Sequence, residues 1–187
     1  MPLWQELNDD QLIDRTQKGE TDAFGVLYER HMNSVYRYLY VRMNDRLDAE
    51  DLTEEVFLRV WRSIDNYRTR GVPFLAFLFR VARNALIDHY RATSNKEMEE
   101  ELEDRPLPDS GIDPSERVIA RMEHQQIKEL MDRLSDDYRD VLVLRFLSGL
   151  SSGETAEVMD RSTGAVRVLQ HRALNALRDL LDEGIKH

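Results

Sequence analysis

One segment constrains this chain more than any other. Between Glu97 and Asp104 most residues are acidic, and Pro106, Pro108, Gly111 and Pro114 follow closely. Such a stretch cannot bury enough apolar surface to offset the entropy of ordering it. Its prolines also remove backbone donors and fix φ. On both sides the sequence turns periodic, with apolar residues at helical spacing. The expected fold is therefore all-α, with two small helical domains at residues 1–92 and 116–187, joined by a flexible acidic linker at 93–115.

In the first half, Asp22 is a candidate N-cap for a run carrying Phe24, Leu27, His31, Val35 and Leu39. A polar break at Asn44-Asp45-Arg46 precedes a helix starting near Asp48, with Leu52, Val56, Val60 and Ile64 at i+4 spacing. Asp48, Glu50 and Asp51 fall in its first turn, where the helix dipole favours acids. Asp65 to Gly71 reads as a loop, and Pro73 suits the first turn of a third helix. That helix is expected to bury Phe74, Phe77, Leu78, Val81 and Ala85, with Arg80, Arg83, Asn84 and Asp88 mostly on its other side.

In the second half, a helix is expected from Ser115 through Leu134, and Ser135 caps the next, which ends at Ser148-Gly149. A short helix from Ser152 to Met159, a turn at Asp160-Arg161-Ser162 and a long helix opened by Ser162 or Thr163 complete the chain. Val166, Leu169, Ala173, Leu177 and Leu180 share one face of the long helix. Gly153 should soften the short helix by roughly 0.5–1 kcal/mol relative to alanine.

Several function classes fall away on composition and motif. The chain has no cysteine, which excludes disulfides and thiolate metal sites, and its five histidines are scattered, so neither metal nor cofactor is expected. Gly-rich phosphate loops, H-E-x-x-H and G-x-S-x-G are absent, so an enzyme is not expected. No apolar run approaches the ~20 residues of a membrane span, and the first residues are acidic, unlike a secretory signal. A cytoplasmic protein with no membrane insertion is the simplest expectation.

The net charge is −10, yet its distribution is uneven. Tyr67 to Ala92 holds five basic residues against one acidic, and Arg161 to His187 holds five against three. In the first of these stretches arginines and aromatics interleave, as suits unstacked bases and a single-stranded backbone. Phe74, Phe77 and Leu78 read as core there, whereas Tyr67, Arg68 and Arg70 lie in a polar loop with no core role. The second stretch ends a short helix, turn, long helix pattern of helix-turn-helix form. Arg167, His171, Asn175 and Arg178 recur on one face, with Arg172 beside them. Arginine and asparagine can read base edges in a major groove; periodicity alone fits a solvated amphipathic helix as well. The acidic run Asp48-Ala49-Glu50-Asp51 with Glu54-Glu55 is either a solvated helix start or a surface for a basic partner.

Four segments in order resemble the sigma-70 family of RNA polymerase sigma factors. Asp48 to Trp61 resembles conserved region two, and Phe74 to Arg91 resembles the helix that follows it. Leu134 to Leu142 and Gly164 to Leu174 resemble region four. Order and spacing are similar to the extracytoplasmic-function (ECF) group. The resemblance implies that Asp48, Asp51, Leu52, Glu54, Glu55 and Phe57 face the clamp helices of core polymerase. It implies that Asn66, Tyr67, Arg68, Thr69 and Arg70, with Arg80, Arg83 and Asn84, capture and stabilise the melted minus-ten element. Thr163, Arg167, Val168, His171 and Arg172 would read the minus-thirty-five duplex. The implied partners are core RNA polymerase, promoter DNA and an anti-sigma factor. The residues alone leave two rivals: a stand-alone helix-turn-helix regulator, which leaves the first-half motifs unexplained, and a helical adaptor without DNA contact.

Overall fold

The computed structural model describes residues 4–43, 45–68, 71–99 and 128–185. The described residues are helical, with no strand among them. The N-terminal domain is built from α1 (Asp9–Gln17), α2 (Thr21–Arg42), α3 (Arg46–Ser63), a 3-10 turn (Ile64–Asn66) and α4 (Phe74–Glu99). Most of the expected linker, and the start of the helix expected from Ser115, lie outside the described residues. Of that expected helix, the described part is helical over 128–132. The C-terminal domain continues with α5 (Asp136–Leu142), a π-turn (Val143–Leu147), α6 (Ser152–Met159) and α7 (Thr163–Ile185).

Helix starts follow local capping chemistry, with two departures from expectation. Asp22 is not the cap of α2; the helix begins one residue earlier at Thr21, with Glu20 in the cap position and no side-chain bond there. The cap of α3 is Asp45, whose carboxylate accepts from the N–H groups of Leu47 and Asp48 at 2.7 and 3.0 Å. Asp48 therefore sits inside the helix rather than at its edge. In α6, Ser151 and Glu154 form a reciprocal capping box, which offsets the cost of Gly153. The helix keeps the expected bounds. Asp160 ends it in the left-handed region at φ 53°, a conformation that aspartate tolerates better than most residues. Ser162 Oγ then accepts from Ala165 N at 3.1 Å, opening α7. Helix α4 runs past Ala92 to Glu99.

The N-terminal core gathers Leu27, Val35, Tyr38 and Leu39 of α2, Leu52, Val56, Phe57 and Val60 of α3, and Phe74, Leu78, Phe79 and Ala82 of α4. Each large apolar side chain so buried contributes about 1.5–3 kcal/mol relative to exposure. Phe77 and Val81, expected in this core, are only half-buried, and Phe79 and Ala82 take their place. The C-terminal core holds Met131, Leu134, Val141 to Leu144, Leu150, Val158, Met159, Val166 and Ala173. The π-turn between α5 and α6 is closed by Ser148 N donating to Val143 O at 2.9 Å. Arg145 Nε ties it to Gln170 of α7 at 2.9 Å.

The two domains meet. Helix α4 packs on α6, and α2 packs on the π-turn. A polar cluster lies at this junction around Asp140 of α5, which is 3% exposed.

Candidate nucleic-acid interface

The loop after α3 and the first turns of α4 make a cleft of about 540 Å³, lined by Asn66, Tyr67, Arg68, Val72, Phe77 and Arg80 among others. Its size lies within the range of ordinary ligand pockets. The Tyr67 ring forms one wall, 4.7 Å from the Phe77 centroid and 5.9 Å from that of Phe74. Its hydroxyl donates to Val72 O at 3.2 Å. Arg68 folds back, its guanidinium donating to the carbonyls of Asp65 and Tyr67 at 3.0 and 2.9 Å. Arg80 and Asn84 are exposed on α4. Among the described residues no carboxylate lies within ion-pair distance of Arg68 or Arg80. Thr69 and Arg70 lie outside the described residues. Sequence periodicity marked the half-buried Phe77 as core; its other half faces this cleft.

Arg83 departs from the expected picture. It is not a solvated cation on the outer face of α4 but a half-buried one, its Nε donating to Asp140 Oδ2 at 2.9 Å. Asp140 Oδ1 accepts from Tyr38 OH at 3.0 Å and pairs with Arg42 at 3.5 Å. Burial, and then the Asp140 charge, raise the Tyr38 phenol well above its ordinary range, so it stays a donor. Arg42 also donates to Asp136 O at 2.9 Å. Glu157 of α6 lines the same cleft as Tyr67 and Arg80. The C-terminal domain thus supplies acids to both parts of the basic α4 surface. Sequence reasoning missed Tyr38, Arg42 and Asp140. A signal existed: Arg42 continues the buried stripe of His31, Val35 and Tyr38, and a charge in an apolar register needs a buried partner.

The helix-turn-helix pattern is realised by α6 and α7. Arg167, Val168, His171 and Arg172 are all exposed on α7, with Val168 at 52%, and Thr163 at its start is half-buried. Among the described residues neither Arg167 nor Arg172 has an ion-pair partner. His171 Nε2 and Asn175 Nδ2 lie 3.2 Å apart, one turn along the same face.

On α3, Asp48, Asp51, Glu54 and Glu55 are exposed and share the outer surface. Glu55 is already engaged with Arg59 at 2.6 Å. Leu52 and Phe57 are buried at 4% and 3%; they hold the helix from within and are not part of the acidic face. The large apolar side chains exposed on this helix are Leu47, Leu58 and Trp61, none of them among the residues expected to face core polymerase. Trp61, Leu58, Phe24, Tyr28 and Phe57 line one groove between α2 and α3. Among the described residues no cluster of His, Asp or Glu is placed to hold a metal, and no helix is long and apolar enough to cross a membrane.

The described residues thus present an acidic, partly apolar helix face, an arginine-lined cleft and an exposed helix-turn-helix. Residues 27–96 match the family model described as Sigma-70 region 2, and residues 124–177 match Sigma-70, region 4. The chain is 36% identical to the ECF RNA polymerase sigma factor BldN of Streptomyces coelicolor, over 92% of this chain and 66% of BldN. It is 35% identical to the ECF RNA polymerase sigma factor SigD of Mycobacterium tuberculosis, over 91% of this chain and 82% of SigD. Among solved structures, CnrH in complex with the cytosolic domain of CnrY superposes with a TM-score of 0.74 at 26% identity, covering 94% of this chain and 97% of that one. The chain belongs to the sigma-70 family of RNA polymerase sigma factors, within its ECF group. Its function is to direct RNA polymerase to promoters.

Proposed function

We propose that this sigma factor works without covalent chemistry of its own, through three surfaces on three elements. The outer face of α3, with Asp48, Asp51, Glu54 and Glu55 beside exposed Leu58 and Trp61, docks on core polymerase. The cleft of Asn66, Tyr67, Arg68 and Arg80, with Asn84 and, once released, Arg83, takes an extruded minus-ten base and its strand. Thr69 and Arg70, outside the described residues, are assigned the same role by the family resemblance alone. Helix α7 reads the minus-thirty-five duplex through Arg167, Val168, His171 and Arg172, with Thr163 at its start on the phosphate backbone. One observation carries the reading most: an aromatic wall and two arginines with no carboxylate partner among the described residues converge on one cleft beside the sigma region-two helix. The chain acts in the cytoplasm with polymerase. CnrH was solved with the cytosolic domain of CnrY, and an anti-sigma partner belongs to the same proposal for this chain.

Run-off transcription with bacterial core polymerase tests the proposal, on a promoter enriched from a random library. Arg68→Ala with Arg80→Ala should abolish opening of duplex templates and impair a premelted one less, because premelting removes the cost of opening but not the need for the strand contacts. Arg167→Ala should weaken binding to duplex upstream DNA roughly ten- to a hundredfold, as the loss of one bidentate base contact does. If core polymerase neither binds nor initiates with the wild-type chain, the proposal fails.

A further inference from the structure

Helix α1 lies before the segment that matches sigma region two, residues 27–96. It is anchored by Leu12, Ile13 and Thr16, all buried. Its last residue, Gln17, is half-buried. Its amide Nε2 donates to Ile64 O at 2.7 Å and to Tyr67 O at 3.0 Å. Both partners are carbonyls, so only the NH₂ end of the amide can serve them, and its orientation is fixed by chemistry. The two carbonyls bracket the 3-10 turn that delivers Asn66 and Tyr67 to the cleft.

We infer that Gln17 is a positioning residue for minus-ten recognition: it holds the backbone of the base-capture loop in its receiving form before DNA arrives. The inference rests on the proposed base-capture reading. Among the described residues, Tyr67 O accepts from Gln17 and from the Arg68 guanidinium. When Arg68 swings out to a phosphate, Gln17 remains on that carbonyl, and the Tyr67 ring keeps its place against Phe77. Without Gln17, releasing Arg68 would take a second side-chain donor from that carbonyl at the moment the strand binds. The loop would then have to be ordered at the expense of binding energy. The amide therefore makes the arginine dispensable to the loop and available to the strand.

The test uses holoenzyme assembled with bacterial core polymerase. Its probe is a labelled fork-junction DNA whose single-stranded minus-ten segment wild-type holoenzyme has enriched from a random pool. Gln17→Leu keeps the bulk and removes both donors; Gln17→Glu keeps the shape and sets a carboxylate against two carbonyls. Both should bind the fork about five- to tenfold more weakly, the effect of losing one or two hydrogen bonds, with the larger loss for Gln17→Glu. Affinity for core polymerase and for isolated minus-thirty-five duplex should not change, and the melting temperature should fall by no more than a few degrees. Wild-type fork affinity in both variants, alongside a loss in Asn66→Ala, overturns the role of Gln17 and leaves the base-capture reading standing. A fall in melting temperature and core affinity parallel to fork affinity makes Gln17 a fold residue and also overturns the inference. If wild-type holoenzyme enriches no sequence, or Asn66→Ala binds the fork normally, the base-capture reading fails and Gln17 with it.

Discussion

Asp140→Asn should separate the two domains while leaving each folded. The carboxylate belongs to α5, but its polar partners Tyr38, Arg42 and Arg83 all belong to the N-terminal domain. Exposure of the three charged side chains runs from 4% for Asp140 and 6% for Arg42 to 19% for Arg83. Breaking a buried pair by removing one charge costs about 3–5 kcal/mol, because the partner is left buried and uncompensated. Two features favour the lower end. Arg83 retains Asp137 at 4.0 Å, and Arg42 retains Asp136, whose side chain is 73% exposed and therefore a weak partner. A loss near 3 kcal/mol shifts the docked-to-parted ratio roughly a hundredfold. The chain has no cysteine, so a fluorophore pair can be placed cleanly by Asp10→Cys and Asp179→Cys, both at exposed positions. Energy transfer should fall in Asp140→Asn at unchanged helicity, and the melting curve should split into two transitions. Unchanged transfer with a single transition moved by less than ~0.5 kcal/mol, the usual range of surface substitutions, would refute the reasoning that this carboxylate holds the junction.

Other outcomes follow from the same geometry. Burial raises the Asp9 pKa, but bonds from His31 at 2.8 Å and Arg30 at 2.6 Å outweigh it, and the net shift is below the ordinary 3.8. Its stabilisation is therefore full above that ordinary value and lost as pH falls through the lower folded one. Asp9→Asn should destabilise the N-terminal domain by about 1–2 kcal/mol near neutrality, and denaturant titrations at stepped pH should show the gap to wild type closing below ~4. Thr155 is fully buried, and among the described residues its Oγ1 has no hydrogen-bond partner. Thr155→Val, nearly the same shape, should leave stability unchanged or raise it by up to about 1 kcal/mol; a destabilisation above ~1 kcal/mol would mean the hydroxyl has a partner.

Much of this architecture was legible because helical periodicity is local. The bounds of α6, the turn at Asp160 and the aliphatic inner face of α7 all follow from residues within a few positions of one another. Motif order then carried the family. What escaped was non-local. Arg83 reads as a solvated cation on spacing alone, because its partner Asp140 lies in the other domain, across the Pro-containing acidic segment. Gln17 looks like any polar helix end until Ile64 and Tyr67 fold up beside it. Phe57 and Leu52 carry family motif positions, yet they face the core; a motif marks which residues recur, not which way each points. The cap of α2 failed for a smaller reason: Asp22 has the right chemistry, but the helix can begin before it without a side-chain bond.

Consider last what it means that Arg83 rests on Asp140. If Arg83 is to serve a promoter phosphate, the carboxylate is a tethered competitor, held by its own chain at a local concentration that dilution cannot lower. Adding more promoter is an inefficient way to win against it, since free DNA must outcompete an opponent that never diffuses away. A protein that grips the two domains and parts them removes the opponent altogether. The availability of Arg83 is then governed less by the amount of DNA present than by which protein holds the sigma factor.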